Sequence, residues 1–238
     1  MSATKLAENV YHVGVKDPDL RVFDIIMKTE HGTTYNAYLV RGSEKTALID
    51  NVKRPFADDF FANIEEIVPI EKIDYLIVNH NEPDHSGSIE ILLDKNPNLK
   101  IYCSASAVPF LKNIINRDAD ITGLKDKEIL DLGGKTLTFR LMPYMHWPDT
   151  MMEFCPEDKL LFSCDGFATH LSWESIIDDD ARVDLPHEMR YYFDAIMRPF
   201  AGYIRRNMPK LDGFDIEMIA PSHGPVIRKY AAQFVQNY

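Results

Sequence analysis

The sequence predicts an α+β protein in which two packed β-sheets carry helices on their outer faces. Three observations point there. Short apolar–polar alternations fill the first third, near-continuous apolar strands alternate with helical patterns after it, and 45% hydrophobic with 26% charged residues suits a globular chain. With 238 residues and no linker-like stretch, residues 1–238 are expected to form one large domain.

Residues 9–15, 21–28, 35–40 and 45–50 alternate between turn signals at Asp17-Pro18 and His31-Gly32, the pattern of an antiparallel meander. The spacing predicts a helix over 56–67, then a buried strand over 74–79 that runs straight into a polar cluster. Helices near 88–94 and over 105–116 flank a strand at 100–103, and strands follow at 128–132 and 135–141. Met151–Cys155 and Leu160–Cys164 read as a hairpin around Pro156-Glu157-Asp158. Residues 186–207 read as the longest helix, followed by a strand at 217–220, a Ser-His-Gly-Pro turn and an amphipathic helix from Ile227.

Composition excludes several classes. With 26 basic against 37 acidic residues the net charge is −11, which argues against nucleic acid or an anionic membrane as the main partner. Cys103, Cys155 and Cys164 are an odd number with no C-x-x-C pair, as in a reducing cytosol rather than a disulfide framework. No signal-peptide core opens the chain, and no apolar run reaches a spanning length of roughly 18 residues. A cytoplasmic protein that spans no membrane is expected.

The chemistry concentrates in His80-Asn81-Glu82-Pro83-Asp84-His85, where four of six side chains bind metals readily. In extended chain His80, Glu82 and Asp84 share one side while His85 reaches past them, so one loop can serve two adjacent metals. The plain alternative is a polar turn before a helix, its carboxylates meeting the positive helix end. Against it, His146, Asp165 and His223 each follow a strand, and strand-end loops are where rigid sheets present functional groups. Four imidazoles and three carboxylates without a thiolate suit iron, manganese or zinc, with Cys164 expected on the opposite face of its strand. Three carboxylates offset much of the charge of two divalent ions, Asp165 stands between the groups as the natural bridge, and a carboxylate-rich pair favours iron.

Weaker signals remain. His170, five residues after Asp165, is a candidate to donate to a ligand carboxylate. His12, His31 and His187 carry no motif and receive no role. Tyr35, Tyr144 and Trp173 read as core, whereas Trp147, beside His146, can wall a gas pocket. Asp178-Asp179-Asp180 reads as a solvated loop, and Tyr191, Tyr192, Phe193 and Ile196 as ordinary helix packing rather than a dimer face.

Five segments carry a resemblance that runs nearly end to end: Gly32-Thr-Thr-Tyr-Asn-Ala-Tyr-Leu-Val, the H-x-E-x-D-H of 80–85, His146-Trp-Pro-Asp-Thr-Met, Phe162-Ser-Cys-Asp-Gly-Phe and Ala220-Pro-Ser-His-Gly-Pro. They resemble the metallo-β-lactamase-fold domain of the flavodiiron proteins, or A-type flavoproteins. The resemblance implies a four-layer αββα sandwich. Hydrolases of that superfamily carry H-x-H-x-D-H, so Glu82 in place of the second His implies di-iron redox chemistry. It further implies one iron on His80, Glu82 and His146, another on Asp84, His85 and His223, Asp165 with an oxo or hydroxo bridge between them, and a homodimer.

Two departures shape the functional expectation. The family's flavodoxin domain follows the final helix, yet this sequence reads to Tyr238 with no FMN-binding segment and no rubredoxin cysteines, so no built-in electron donor is expected. Many relatives have His and then Gly-Tyr where this chain reads Arg21-Val-Phe-Asp-Ile-Ile, which changes the position of Asp24 near the site. A diferrous pair without a resident donor should hold dioxygen longer. The first reading is therefore an oxygen-binding di-iron protein that reports to a chemotaxis histidine kinase. An oxygen or nitric-oxide reductase served by a separate rubredoxin or flavoprotein is the alternative, and a zinc-dependent hydrolase, which Glu82 disfavours, comes third.

Overall fold

The computed structural model describes residues 2–178 and 184–238. Its first half contributes β1 (Thr4–Ala7), β2 (Val10–His12), β3 (Val15–Asp17), β4 (Val22–Phe23), β5 (Met27–Lys28), β6 (Thr33–Tyr35), β7 (Tyr38–Arg41) and β8 (Thr46–Ile49). Helix α1 (Ala57–Glu65), β9 (Tyr75–Val78), α2 (Pro83–Ser86), α3 (Ile89–Lys95), β10 (Lys100–Ser104), α4 (Val108–Ile115) and β11 (Asp120–Leu124) follow. These strands build a seven-stranded sheet in the order β1-β2-β7-β8-β9-β10-β11, antiparallel up to β8 and parallel beyond it. The pairs β3·β6 and β4·β5 stand apart as small ribbons. A five-stranded sheet runs β12 (Ile129–Asp131), β13 (Thr136–Leu141), β14 (Met151–Cys155), β15 (Leu160–Cys164) and β16 (Met218–Pro221), with only the last pair parallel.

Alternate residues of the same strands divide between two cores, as the period of two dictates. Val40, Ile49 and Ile77 meet Phe139, Leu160 and Phe162 between the sheets. Leu39, Leu48 and Leu76 pack instead with Phe60, Leu92 and Leu111 of the first sheet's helices. Met152, Phe154 and Leu161 turn outward from the second sheet in the same way. The arrangement is the expected four-layer αββα sandwich.

Several elements differ from the sequence expectation. The long helix over 186–207 is broken into α5 (Leu185–Tyr192), a wide turn at Phe193–Met197, a tight turn at Arg198–Phe200, and α6 (Ala201–Asn207). Pro199 lacks the N–H that a continuous helix needs there. The last helix, α7 (Ala231–Asn237), starts later than Ile227, because Ile227 pairs with Ile219 beside β16. Residues 21–28 form the β4–β5 hairpin, with Asp24 and Ile25 in left-handed backbone at φ +47° and +69°. The strand β11 escaped the reading because its exposed edge position leaves a weak alternation around Gly123. No helix among the described residues is long and apolar enough to cross a membrane.

Candidate metal centre

Four strand ends converge. His80 lies two residues beyond β9, Asp165 directly follows β15, His223 follows β16 by two residues, and His146 sits in the loop between β13 and β14. Glu82 is in extended backbone at φ −58° and ψ 146°, but Pro83 opens the single helical turn α2. Asp84 therefore leaves the extended side expected for it and, with His85, which was expected to reach past that side, joins His223 in a second group.

All seven predicted residues come together. His80 Nε2 lies 3.1 Å from Glu82 Oε2 and 3.7 Å from Asp165 Oδ2. His146 Nε2 is 3.5 Å from Glu82 Oε2 and 3.4 Å from Asp165 Oδ2. Across the site, His85 Nε2 is 3.4 Å from Asp84 Oδ1 and 3.3 Å from Asp165 Oδ1. His223 Nε2 is 3.1 Å from Asp84 Oδ2 and 3.4 Å from Asp165 Oδ1. Asp165 thus turns one oxygen to each group. Within each of His80–Glu82–His146–Asp165 and Asp84–His85–His223, one donor atom per residue lies within 4.8 Å of the others. Both oxygens of Asp84, both of Asp165 and His85 Nε2 are buried without a hydrogen-bond partner. Orphaned groups of this kind cost about 1–3 kcal/mol each, and cations shared among them would satisfy all five.

Outer contacts set the tautomers. His80 Nδ1 donates to Asp149 Oδ1 at 3.3 Å, while Asp149 Oδ2 accepts the Asn81 N–H at 2.8 Å. His223 Nδ1 donates to the Thr34 carbonyl at 2.6 Å. Both rings then aim Nε2 lone pairs inward. Gly224, at φ +80°, closes the turn behind His223 where a Cβ would stand 2.0 Å from Thr169 Oγ1. Sequence reasoning gave Asp149 no role, although it lies in the quoted His146-Trp-Pro-Asp motif. It also missed Asp50, which accepts the Asn79 N–H at 2.8 Å and lies within 4.8 Å of His85 and Cys164. Cys164 does not turn away as strand alternation predicted, because its backbone is left-handed at φ +50°.

The electrostatics are those of an acid-rich pocket lacking cations. Burial pulls the His80 imidazole down, but Asp149, Glu82 and Asp165 outweigh it and lift the group to about 9. Burial likewise opposes protonation of His85, and Asp84 with Asp165 still raises it well above the usual range. Burial pushes Asp84 and Asp165 upward, yet His85 and its neighbours hold both carboxyls well below theirs. Protons on imidazoles occupy the place that metal ions take when they bind. At the edge, burial and the charge of Glu82 raise Asp24 to about 6.

His170 packs its ring 5.0 Å from that of His223 and bonds Thr33 Oγ1 at 2.8 Å through Nδ1, rather than donating to a ligand carboxylate. Trp147 stands at the mouth, its ring centroid 4.8 Å from His80. Tyr35 is buried, with its ring 5.9 Å from His223. Asp178 is buried rather than solvated and accepts the N–H groups of Arg228 and Lys229. Asp179 and Asp180 lie outside the described residues.

A family profile described as ODP family beta lactamase matches residues 33–224. The chain belongs to the ODP beta-lactamase family. This ODP-family chain is 42% identical over 233 residues to Flavo-diiron protein FprA2 of Clostridium acetobutylicum, covering 96% of the chain and 58% of that protein. It is 34% identical to a nitric oxide reductase of Moorella thermoacetica, covering 98% of the chain and 59% of the relative. The structure of rubredoxin oxygen:oxidoreductase from Desulfovibrio gigas superposes with a TM-score of 0.95 at 32% identity, over 100% of this chain and 60% of that one. The ODP-family chain spans somewhat over half the length of these relatives, and its flavodiiron resemblance and α+β fold hold.

Proposed function

We propose that this chain is a di-iron oxidoreductase domain that reduces a small diatomic gas, dioxygen or nitric oxide, with electrons from a separate redox protein such as a rubredoxin or flavoprotein. The observation that carries the reading is the pair of oxygens of Asp165, one facing each histidine group. In this reading His80, Glu82 and His146 hold one iron, Asp84, His85 and His223 the other, and Asp165 spans both. Iron, when bound, supplies reversible one-electron chemistry at a position a diatomic ligand can reach. Glu82 and His146 are the two of the seven with side chains more than a tenth exposed, so gas entry belongs on their side. Asp149 and the Thr34 carbonyl hold two imidazoles in place, which keeps the site preformed through turnover. Relatives named as reductases favour turnover over oxygen sensing through a chemotaxis kinase, the first expectation from the sequence.

Elemental analysis and Mössbauer spectroscopy on protein purified without added metal test the proposal, together with consumption of dioxygen and of nitric oxide driven by NADH through a rubredoxin and its reductase, each corrected for a blank without this protein. Two coupled irons per chain and sustained consumption are expected. Zinc with thioester or lactam hydrolysis would overturn it in favour of a hydrolase, and a long-lived oxygen adduct without turnover would return the sensor reading.

A further inference from the structure

His223 sits on a turn that is gripped from the other sheet's side. The turn Pro221-Ser222-His223-Gly224 leaves β16 of the five-stranded sheet, whereas Asn36 lies between β6 and β7, the latter in the seven-stranded sheet. The buried Asn36 side chain spans the gap, its Nδ2 donating to the Pro221 carbonyl and to the Gly224 carbonyl, each at 2.8 Å. Its backbone N–H donates to the Ser222 carbonyl at 2.8 Å. One residue therefore fixes carbonyls on both sides of His223. The Gly224 N–H adds a bond to Thr34 Oγ1 at 2.7 Å. The grip matters because His80 and His223 are held differently. His80 bonds the Asp149 carboxylate, a side chain that can follow the ring, but His223 bonds the Thr34 carbonyl, which is only as firm as the backbone on either side.

The Asn36 amide is itself oriented. Both Nδ2 hydrogens are spent on carbonyls, so Oδ1 must accept, and His12 Nε2 stands 2.9 Å from it. His12 is fully buried, and burial keeps its ring neutral, so the single ring proton lies on Nε2 and Nδ1 is left without a partner. A flipped amide would set its oxygen against two carbonyls. We infer, on the reading of the seven residues as a two-metal centre, that Asn36, oriented by His12, is the positioning residue for His223 and so for the ion held by Asp84, His85 and His223. It acts through backbone rather than on a donor atom, since its side-chain bonds go to Pro221, Gly224 and His12. None of these bonds goes to His80, Glu82 or His146, so the ion held there is expected to be indifferent to Asn36.

Cobalt(II) titration of metal-free protein without oxygen, followed by d–d absorption and by competition with a chelator, reads each ion apart from turnover. Wild type should take up two ions, and fewer would sink the two-metal reading itself. Asn36→Asp keeps the shape but faces the two carbonyls with oxygen instead of N–H. It should weaken one ion about tenfold or more and change the other less than about threefold. In a His223→Ala background the same substitution should change cobalt binding less than about twofold, because the residue it acts through is gone. His12→Leu should weaken the same single ion, whereas His12→Gln, whose amide N–H stands where the Nε2–H does, should bind both ions as wild type does. Equal weakening of both ions by Asn36→Asp, no weakening of either, or a full further loss in the His223→Ala background overturns the role of Asn36 while leaving two bound ions in wild type. Equal binding by His12→Leu and His12→Gln removes His12 from that role. An arm that needs no variant is the histidine 15N–1H correlation spectrum of zinc-loaded wild type. His12 should be protonated on Nε2, and an Nδ1–H tautomer overturns the amide orientation on which the positioning depends.

Discussion

Asp149 grips His80 and Asn81 at once, taking the imidazole Nδ1–H on one oxygen and the Asn81 backbone N–H on the other, at 3.3 and 2.8 Å. The pair fixes both the ring and the loop that carries Glu82, Asp84 and His85. Asp149→Asn should therefore weaken metal binding about 10–100-fold while leaving the stoichiometry intact, as competition with a chelator would reveal.

Asp165 differs from Asp149 in facing both groups. Asp165→Asn removes the shared carboxylate charge and should reduce bound metal from two ions per chain to one or none. Elemental analysis after identical reconstitution decides this, and two retained ions would show that Asp165 is dispensable as a bridge.

His12 is fully buried, its Nε2 2.9 Å from Asn36 Oδ1, and burial lowers it to about 4. The unfolded chain then binds this proton more tightly than the folded one between about 6.5 and 4. Its contribution to stability is complete above that window and is lost as pH falls through it, by roughly 3 kcal/mol. Urea denaturation at neutral pH and near pH 4.5 should show a smaller acid loss in His12→Gln than in the wild type.

Glu153 has the opposite sign. It sits between the sheets with Oε1 accepting from Asn79 Nδ2 at 3.1 Å, and burial, with Asp50 nearby, holds its carboxyl well above the usual range. The folded state binds the proton more tightly, so this contribution is complete below the ordinary glutamate range and is lost as pH rises through the raised value. Glu153→Gln should be more stable relative to wild type at pH 8 than at pH 4, measured by the same denaturation.

Gly224 supports His223 from behind. A Cβ there would meet Thr169 Oγ1 at 2.0 Å and the Thr169 carbonyl at 2.7 Å, in a left-handed backbone that disfavours side chains. Gly224→Ala should cost about 3 kcal/mol and lower metal occupancy with it, by thermal melts and elemental analysis.

Much of the site was legible because it is written in local order. H-x-E-x-D-H is a short segment, and His146, Asp165 and His223 announce themselves by following apolar strands. Asp149 and Asp50 were not legible as partners, since nothing along the chain says which carboxylate a histidine's second nitrogen will find. The break at Pro199 hid behind a strong amphipathic pattern, and Cys164 escaped because alternation presumes an unbroken strand.

The order of the chain by itself determined the two-sheet architecture and which seven imidazole and carboxylate side chains could cluster, because periodicity and residue chemistry are local properties. Only the tertiary structure decided how those donors divide. The helical turn at Pro83 sends Asp84 and His85 to the far group, and the meeting of four strand ends aims one oxygen of Asp165 at each set. The turn follows from a proline whose consequence shows only in three dimensions, and the meeting of strand ends depends on packing between segments tens of residues apart, which no local pattern encodes.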